Sequence, residues 1–264
     1  MRTLLLILGD QLDDGADALD ALDPDRDAVW MAEVDHEITS VPSHKRRIAL
    51  FLAAMRHFRD RLRERGLRVH YHALGPDPAD DRGPDFATVL AADLERLAPT
   101  EIVVTHPGDH RVLESLRRVA GEADVPITVA PDRHFLCELD AFDGWIEGRK
   151  RLLLEDFYRW MRKRLGVLID EHGKPEGGRW NFDADNRESF GVDGPGDLPR
   201  PPRFEPDATT RAVLDLVERR WGDHPGDLDG FAEAVTPEQA HQALECFIRD
   251  RLPRFGTHQD ALWT

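Results

Sequence analysis

Three side chains able to grip a polar ligand stand at the ends of short apolar runs: Asp10 and Gln11 in LILGDQL, and Glu37 shortly after VWMAEV. Carboxylates accept hydrogen bonds from hydroxyls and ring N–H groups, and one primary amide both donates and accepts. That set suits an uncharged, polar, planar ligand, whereas its negative charge repels a phosphate. The usual phosphate devices are missing as well, since no GxGxxG follows the first apolar run and no GxxxxGK[ST] occurs. GxSxG, HExxH and CxxC are also absent, so no catalytic residue is assigned. The residues alone leave a second reading open, in which Asp10 caps a turn and Glu37 is merely solvated.

Other chemistry-bearing residues are less organised. His70 and His72 lie two apart in a β-rich run and so share a face, but two ligands without a third make a poor metal site. They read as strand side chains at a partly wet edge. His106 and His110 flank a strand end and a helix start, where a turn or cap role is expected. Cys137 and Cys246 are the only cysteines, too few for a disulfide framework or for the four thiolates of an iron–sulfur cluster, and are expected as buried free thiols.

The elements that must position these residues alternate in kind. Residues 2–8, 28–34, 68–74, 101–106 and 127–130 are β-rich runs, with helical patterns over 43–65, 85–97 and 109–120 between them. In the first helix Ile48, Phe51, Leu52, Met55, Phe58 and Leu62 form one stripe, arginines fill the rest, and Gly66 is the stop. The expected fold class is α/β, a doubly wound five-stranded parallel sheet, because parallel neighbours need long right-handed crossovers. Ligands in such sheets bind beyond the carboxyl ends of the strands. Those mouths are Gly9-Asp10-Gln11, then Glu33, Val34, Asp35 and Glu37, then Thr105 to Asp109.

After about residue 131 helical patterns dominate, over 139–147, 149–165, 208–220 and 237–251, interrupted by a Gly-, Pro- and Asp-rich stretch over 170–206. The expected division is 1–132 for the α/β domain, 133–206 for a helical connector and interdomain loop, and 207–264 for the beginning of a helical domain. The ending is unusually apolar: Leu244, Phe247, Ile248 and Leu252 continue into Phe255, Leu262 and Trp263. Termini are ordinarily polar and frayed, so a covering segment is expected to be absent.

The chain has 264 residues and a net charge of -16, with Asp far outnumbering Glu and lysine confined to Lys45, Lys150, Lys163 and Lys174. This resembles the proteins of salt-accumulating microbes, where negative charge maintains hydration. It argues against a non-specific nucleic-acid binder, which presents a basic face. No apolar run approaches the roughly 20 residues of a spanning helix, and LLLILG lacks a basic leader. A soluble, cytoplasmic, monomeric protein is expected.

Four segments carry a resemblance: LILGDQL, the stretch HKRRIALFLAAMRHFRDRLRERGLRVHY from His44, the stretch from Gly148 that contains PEGGRWNFDADNR, and FGTHQDALWT. Together, and in order, the sequence resembles the deoxyribodipyrimidine photolyase-related proteins, the iron–sulfur branch of the photolyase and cryptochrome superfamily that includes prokaryotic (6-4) photolyases. The resemblance implies that this chain is the front portion of a light-driven DNA repair flavoprotein, inactive in repair on its own. It implies an antenna chromophore, 6,7-dimethyl-8-ribityllumazine, at the strand mouths, with Gly9, Asp10, Gln11, Val34, Glu37 and Ile48 as its contacts. FAD and a [4Fe-4S] cluster are implied for the longer protein, as is DNA carrying pyrimidine photolesions. Lys174, Arg179 and Trp180 are the candidate DNA contacts, beside a basic helix containing Arg149, Lys150, Arg151, Arg159, Arg162, Lys163 and Arg164. The alternative for that helix is a solvated face with Leu152, Leu153, Phe157, Trp160 and Leu165 on its core side. The alternatives for the whole are a blue-light signalling protein, or a non-enzymatic remnant. The sequence departs from the family at His106, where Glu is common, and at Leu262, where Met is common.

Overall fold

The computed structural model describes residues 1–262. Its centre is a five-stranded sheet of β1 (Thr3–Leu6), β2 (Ala28–Ala32), β3 (Val69–His72), β4 (Glu101–Thr105) and β5 (Ile127–Ala130). All neighbours are parallel and the order is β3-β2-β1-β4-β5, so the strand order reverses beside β1, as a doubly wound fold requires. The α/β fold read from the strand and helix alternation is the fold observed.

Alternation along β1 divides the core. Leu4, Leu6 and Leu8 face one side with Trp30, while Leu5 and Ile7 face the other with Val29 and Met31. After β1 a single turn, α1 (Asp17–Asp20), supplies Leu19 to the second side, and after β2 another, α2 (Asp35–Thr39), opens the crossover. The long helix α3 (Lys45–Glu64) covers that second side with Met55, Phe58 and Leu62, and ends where Gly66 takes a φ of 82°. The first side is covered by α4 (Phe86–Leu97), capped by Asp85, and α5 (His110–Glu122), capped by Asp109.

Two compact units emerge. The first comprises Met1–His134 together with Arg203–Ala240. Within it Ile48, Ala49, Leu52 and Ala53 of α3 have a further apolar stripe, which packs on Val213, Leu216 and Val217 of the helix over Ala208–Arg220 and on Trp221. Residues read from sequence as the start of another domain are thus, up to Ala240, part of the α/β unit.

The second unit, Phe135–Pro202 with the described residues from His241 onward, contains α6 (Leu139–Ile146) and α7 (Leu154–Leu165). Following chain order, the Ala208–Arg220 helix is α8, and α9 (Pro237–Cys246) leads through a π-turn over Phe247–Arg251 into α10 (Leu252–Phe255). The core of the second unit is aromatic: Trp145 contacts Phe142, Phe157 and Trp160 at centroid distances of 6.0, 5.0 and 6.2 Å. Helix α7 starts five residues later than the pattern suggested. Gly148 turns at a φ of 71°, and Arg149 is held back against α6, stacked on Trp145 at 4.4 Å and donating to its carbonyl. As a result Leu152 and Leu153 are exposed, and so is Leu165, contrary to the expected core side. The cysteines are free but half-buried rather than buried. Leu244, Ile248, Leu252, Phe255 and Leu262 are exposed, and Trp263 lies outside the described residues.

One buried carboxylate fastens α4 to the sheet. Asp93 accepts from the indole N–H of Trp30 at 2.9 Å and from Arg82 and Arg96 at 3.0 and 2.8 Å. Burial raises its pKa, but the two guanidinium groups and the indole outweigh that and hold it below the ordinary value. The unfolded chain therefore takes up this proton at higher pH than the folded one, so the stabilisation is present above about pH 4 and fades as pH falls further. Asp93→Asn is expected to lose ~1–3 kcal/mol at neutral pH. In urea titrations the gap between wild type and variant should narrow below about pH 4; a pH-independent gap would refute the linkage.

Candidate functional site

The carboxyl ends of β1, β2 and β4 open onto a cavity of about 280 Å³, near the lower end of the ~300–1,000 Å³ typical of small-molecule sites. Leu8, Gly9 and Asp10 enter from β1, Ala32 to Val34 from β2, and Pro107 to Asp109 from the loop after β4. Helix α2 adds Glu37 and Ile38, the turn before α3 adds Ser43, and α3 adds Arg47, Ile48, Phe51, Leu52 and Met55. The walls are apolar and the charge lies at the rim. This is the crevice that strand-order reversal creates.

Five of the six expected contacts, Gly9, Asp10, Val34, Glu37 and Ile48, line this cavity together. Gln11 does not. Its amide N–H groups go to the carbonyls of Thr105 and His106 at 3.0 and 3.4 Å, and its oxygen accepts from the Leu8 N–H at 3.4 Å. Strand-end carbonyls that lose their ladder need donors, and Gln11 supplies them, tying the exit of β1 to that of β4.

The two carboxylates differ. Asp10 is exposed at the rim and has no side-chain hydrogen bond or ion pair among the described residues. Glu37 is not merely solvated: Arg111 donates to both its oxygens at 2.9 and 3.0 Å. Arg111 also reaches Asp109 at 3.1 Å, and Asp109 caps α5 through the Arg111 N–H at 2.7 Å. That backbone bond leads the causes holding the Asp109 carboxyl below its ordinary pKa, with the guanidinium adding to it. Gly9 is tightly enclosed, for a Cβ there would lie 3.0 Å from Met55 Sδ.

Beneath the rim lies Glu33, whose side chain is fully buried. Arg56 donates to its two oxygens at 2.7 and 2.8 Å, Tyr71 Oη–H at 2.5 Å, and the Leu74 N–H at 2.9 Å. Burial, then Glu33, pushes the Tyr71 phenol well above its usual value, so it stays a donor. Arg56 keeps its charge despite burial because Glu33 outweighs it.

Several cavity residues escaped the sequence reading. Arg47 and Phe51 are four apart on α3 and stack at 4.8 Å, an i, i+4 spacing visible in HKRRIALF. Met55 belongs to the apolar stripe of α3, which does not mark it as a cavity residue, and Phe86 carries no local signal. His70 is half-buried on the edge strand, while His72 is buried with Nε2 unpartnered, drier than expected. Burial first, then nearby arginines, lower both pKa values. No cluster of metal-binding side chains occurs among the described residues. His106 holds the β4–β5 exit through its N–H to Ala130.

A family model described as deoxyribodipyrimidine photo-lyase-related protein matches residues 5–232. The chain belongs to that family. A (6-4) photolyase of Agrobacterium fabrum is 42% identical over 264 residues, covering 99% of this chain and 50% of the relative. An uncharacterized protein of Acanthamoeba polyphaga mimivirus, R852, is 24% identical over 142 residues, covering 52% of this chain and 68% of the relative. The chain spans about half the length of the photolyase it matches.

In this photo-lyase-related chain the second candidate set lies in the second unit. Lys174 and Arg179 are exposed and Trp180 is half-buried. Arg162 and Lys163 sit over the Trp180 ring at 5.1 and 5.4 Å, with Arg159 at 5.9 Å. Arg179 stacks on Phe182 at 4.4 Å and pairs with Asp185. Arg162, grouped by sequence with the phosphate-facing cations, is buried and donates to the carbonyls of Val167 and Leu168, closing the end of α7. No helix among the described residues is long and apolar enough to cross a membrane.

Because the Glu37–Arg111 pair is half-exposed, water screens it. Arg111→Ala is expected to shift urea stability by less than ~1 kcal/mol, freeing Glu37 without loosening the sheet. A loss above ~2 kcal/mol would mean that the pair holds the fold rather than serving the rim.

Proposed function

We propose that this chain is the antenna-binding portion of a light-driven DNA photolyase, and that the cavity at the mouths of β1, β2 and β4 takes 6,7-dimethyl-8-ribityllumazine. The observation that supports the reading is the pairing of Asp10, an acceptor with no partner among the described residues, with apolar walls that include Phe51 and Phe86. Asp10 and Glu37 offer carboxylate oxygens to ribityl hydroxyls and ring N–H groups. Phe51, Phe86, Met55 and Ile48 would enclose the ring and exclude water, while Val34 and Gly9 set its depth. Such a chromophore supplies absorption of blue light when bound. The chain's part is rigid placement, which calls for no acid, base or nucleophile here, in keeping with a site of rim carboxylates and packed side chains.

In this reading, repair of a pyrimidine photolesion and the FAD that drives it belong to the longer protein. A [4Fe-4S] cluster takes four thiolates; this chain has only Cys137 and Cys246, so its residues do not fit that group and no step is routed through it.

Purified chain titrated with the lumazine is expected to show saturable binding and a shifted absorption band. Asp10→Ala combined with Glu37→Ala should weaken binding at least tenfold, roughly the loss of one charge-assisted hydrogen bond. Binding undiminished in the double variant would place the ligand elsewhere.

The cation-ringed Trp180 supports DNA as the partner of the longer protein, with Lys174 and Arg179 toward phosphate and the indole offered to a base. In the full-length protein Lys174→Ala and Arg179→Ala should each lower the salt dependence of affinity for ultraviolet-damaged duplex by about one unit of slope. An unchanged slope and affinity would remove these residues from the interface.

A further inference from the structure

Helix α8 and the residues just after it hold two walls of the cavity in place, α2 and the start of α3, though none of them touches it. Arg220, at the end of α8, has a side chain only 3% exposed. Its guanidinium donates to both oxygens of Asp81, at 2.9 and 2.7 Å, to the Gly75 carbonyl at 3.0 Å, and to Asp35 Oδ1 at 2.9 Å. The next residue, Trp221, gives its indole N–H to the same Asp35 oxygen at 3.1 Å. Asp35 is the first residue of α2, the single turn that carries Glu37 and Ile38 into the cavity.

The start of α3 is held from the same side. His224 Nδ1 lies 3.1 Å from the Ser43 carbonyl, Lys45 N–H donates to the Pro225 carbonyl at 2.9 Å, and Lys45 Nζ reaches Glu218 at 3.1 Å. Gly226, at a φ of 84°, lies so close to the His44 ring that a Cβ would fall 1.9 Å from Nε2. Only glycine allows that approach. A five-residue helix such as α2 has little stability of its own. Its orientation must come from groups bonded to it, and the fixed fork of a buried guanidinium meets that requirement better than a single ammonium could.

We infer that Arg220 is a positioning residue for the cavity: by clamping Asp35 and Asp81 it fixes the angle of α2 and hence the place of Glu37. This rests on the proposed ligand reading of the cavity. It assigns to the Arg203–Ala240 segment, which lines none of the site, a share in its specificity.

The test separates positioning from stability. Arg220→Met alone strands the Asp81 carboxylate, so it is combined with Asp81→Asn, which removes that charge and leaves Asp35 with the Trp221 indole alone. The double variant is expected to melt close to wild type, bind 6,7-dimethyl-8-ribityllumazine about tenfold more weakly, and return the bound absorption band toward its position in free solution. Arg220→Lys should fall between wild type and the double variant in affinity. Wild-type affinity and an unshifted band in a folded double variant would overturn the role of Arg220 and leave the ligand site standing. If that variant does not fold, Arg220→Lys, which keeps the charge but loses the fork, decides: weaker binding supports the clamp, and an unchanged affinity overturns it. A wild-type chain that takes up none of the lumazine removes the ligand reading, and this proposal with it.

Discussion

A carboxylate at the end of a central parallel strand, sealed from water, is the constraint on which the site depends. Glu33 is fully buried where β2 leaves the sheet. An ion in that position is tolerable only if it is paired and its oxygens are saturated. Four donors from three residues meet that demand: two N–H groups of Arg56 from the middle of α3, the hydroxyl of Tyr71 from β3, and the N–H of Leu74 just past the end of β3. The exit of β2 therefore cannot move without α3 and β3. Since β2 and α3 also form the floor and one wall of the cavity, its depth is set by the same group.

Above this lock the charges are arranged in order of exposure. Glu33 and Arg56 neutralise each other in the interior, Glu37 and Arg111 pair at the half-exposed rim, and Asp10 is exposed with no side-chain partner among the described residues. Interior charge holds shape, and rim charge is what the proposed ligand would meet. Gln11 belongs with the first group by its bonding, since it ties the exits of β1 and β4 together.

Most of the fold was legible because period and length are local properties. All five β-rich runs are strands, and the α3 stripe is apolar as expected, its Met55, Phe58 and Leu62 packing on the sheet while Ile48 and Leu52 pack on α8. The mouths of the strands were legible too, which is why Gly9, Asp10, Val34, Glu37 and Ile48 converge. What escaped depends on partners distant in sequence. Glu33 and Arg56 read separately as an acid near a strand end and one of many helix arginines; only the fold shows that they meet. Gln11 looked like a ligand contact because nothing local reveals that the Thr105 and His106 carbonyls need donors. Leu152 and Leu153 fit a helical stripe, but Arg149 stacking on Trp145 delays α7 and leaves them exposed.

The most direct measurement is a double-mutant cycle on the buried pair, with Glu33→Gln, Arg56→Met and the double variant compared by urea unfolding. A carboxylate-centred lock predicts a coupling energy of ~2 kcal/mol or more, because each single variant strands a buried polar group that the double variant relieves. Additive losses, with coupling below ~0.5 kcal/mol, would show that the exits of β2 and β3 are held by packing alone and would contradict the lock.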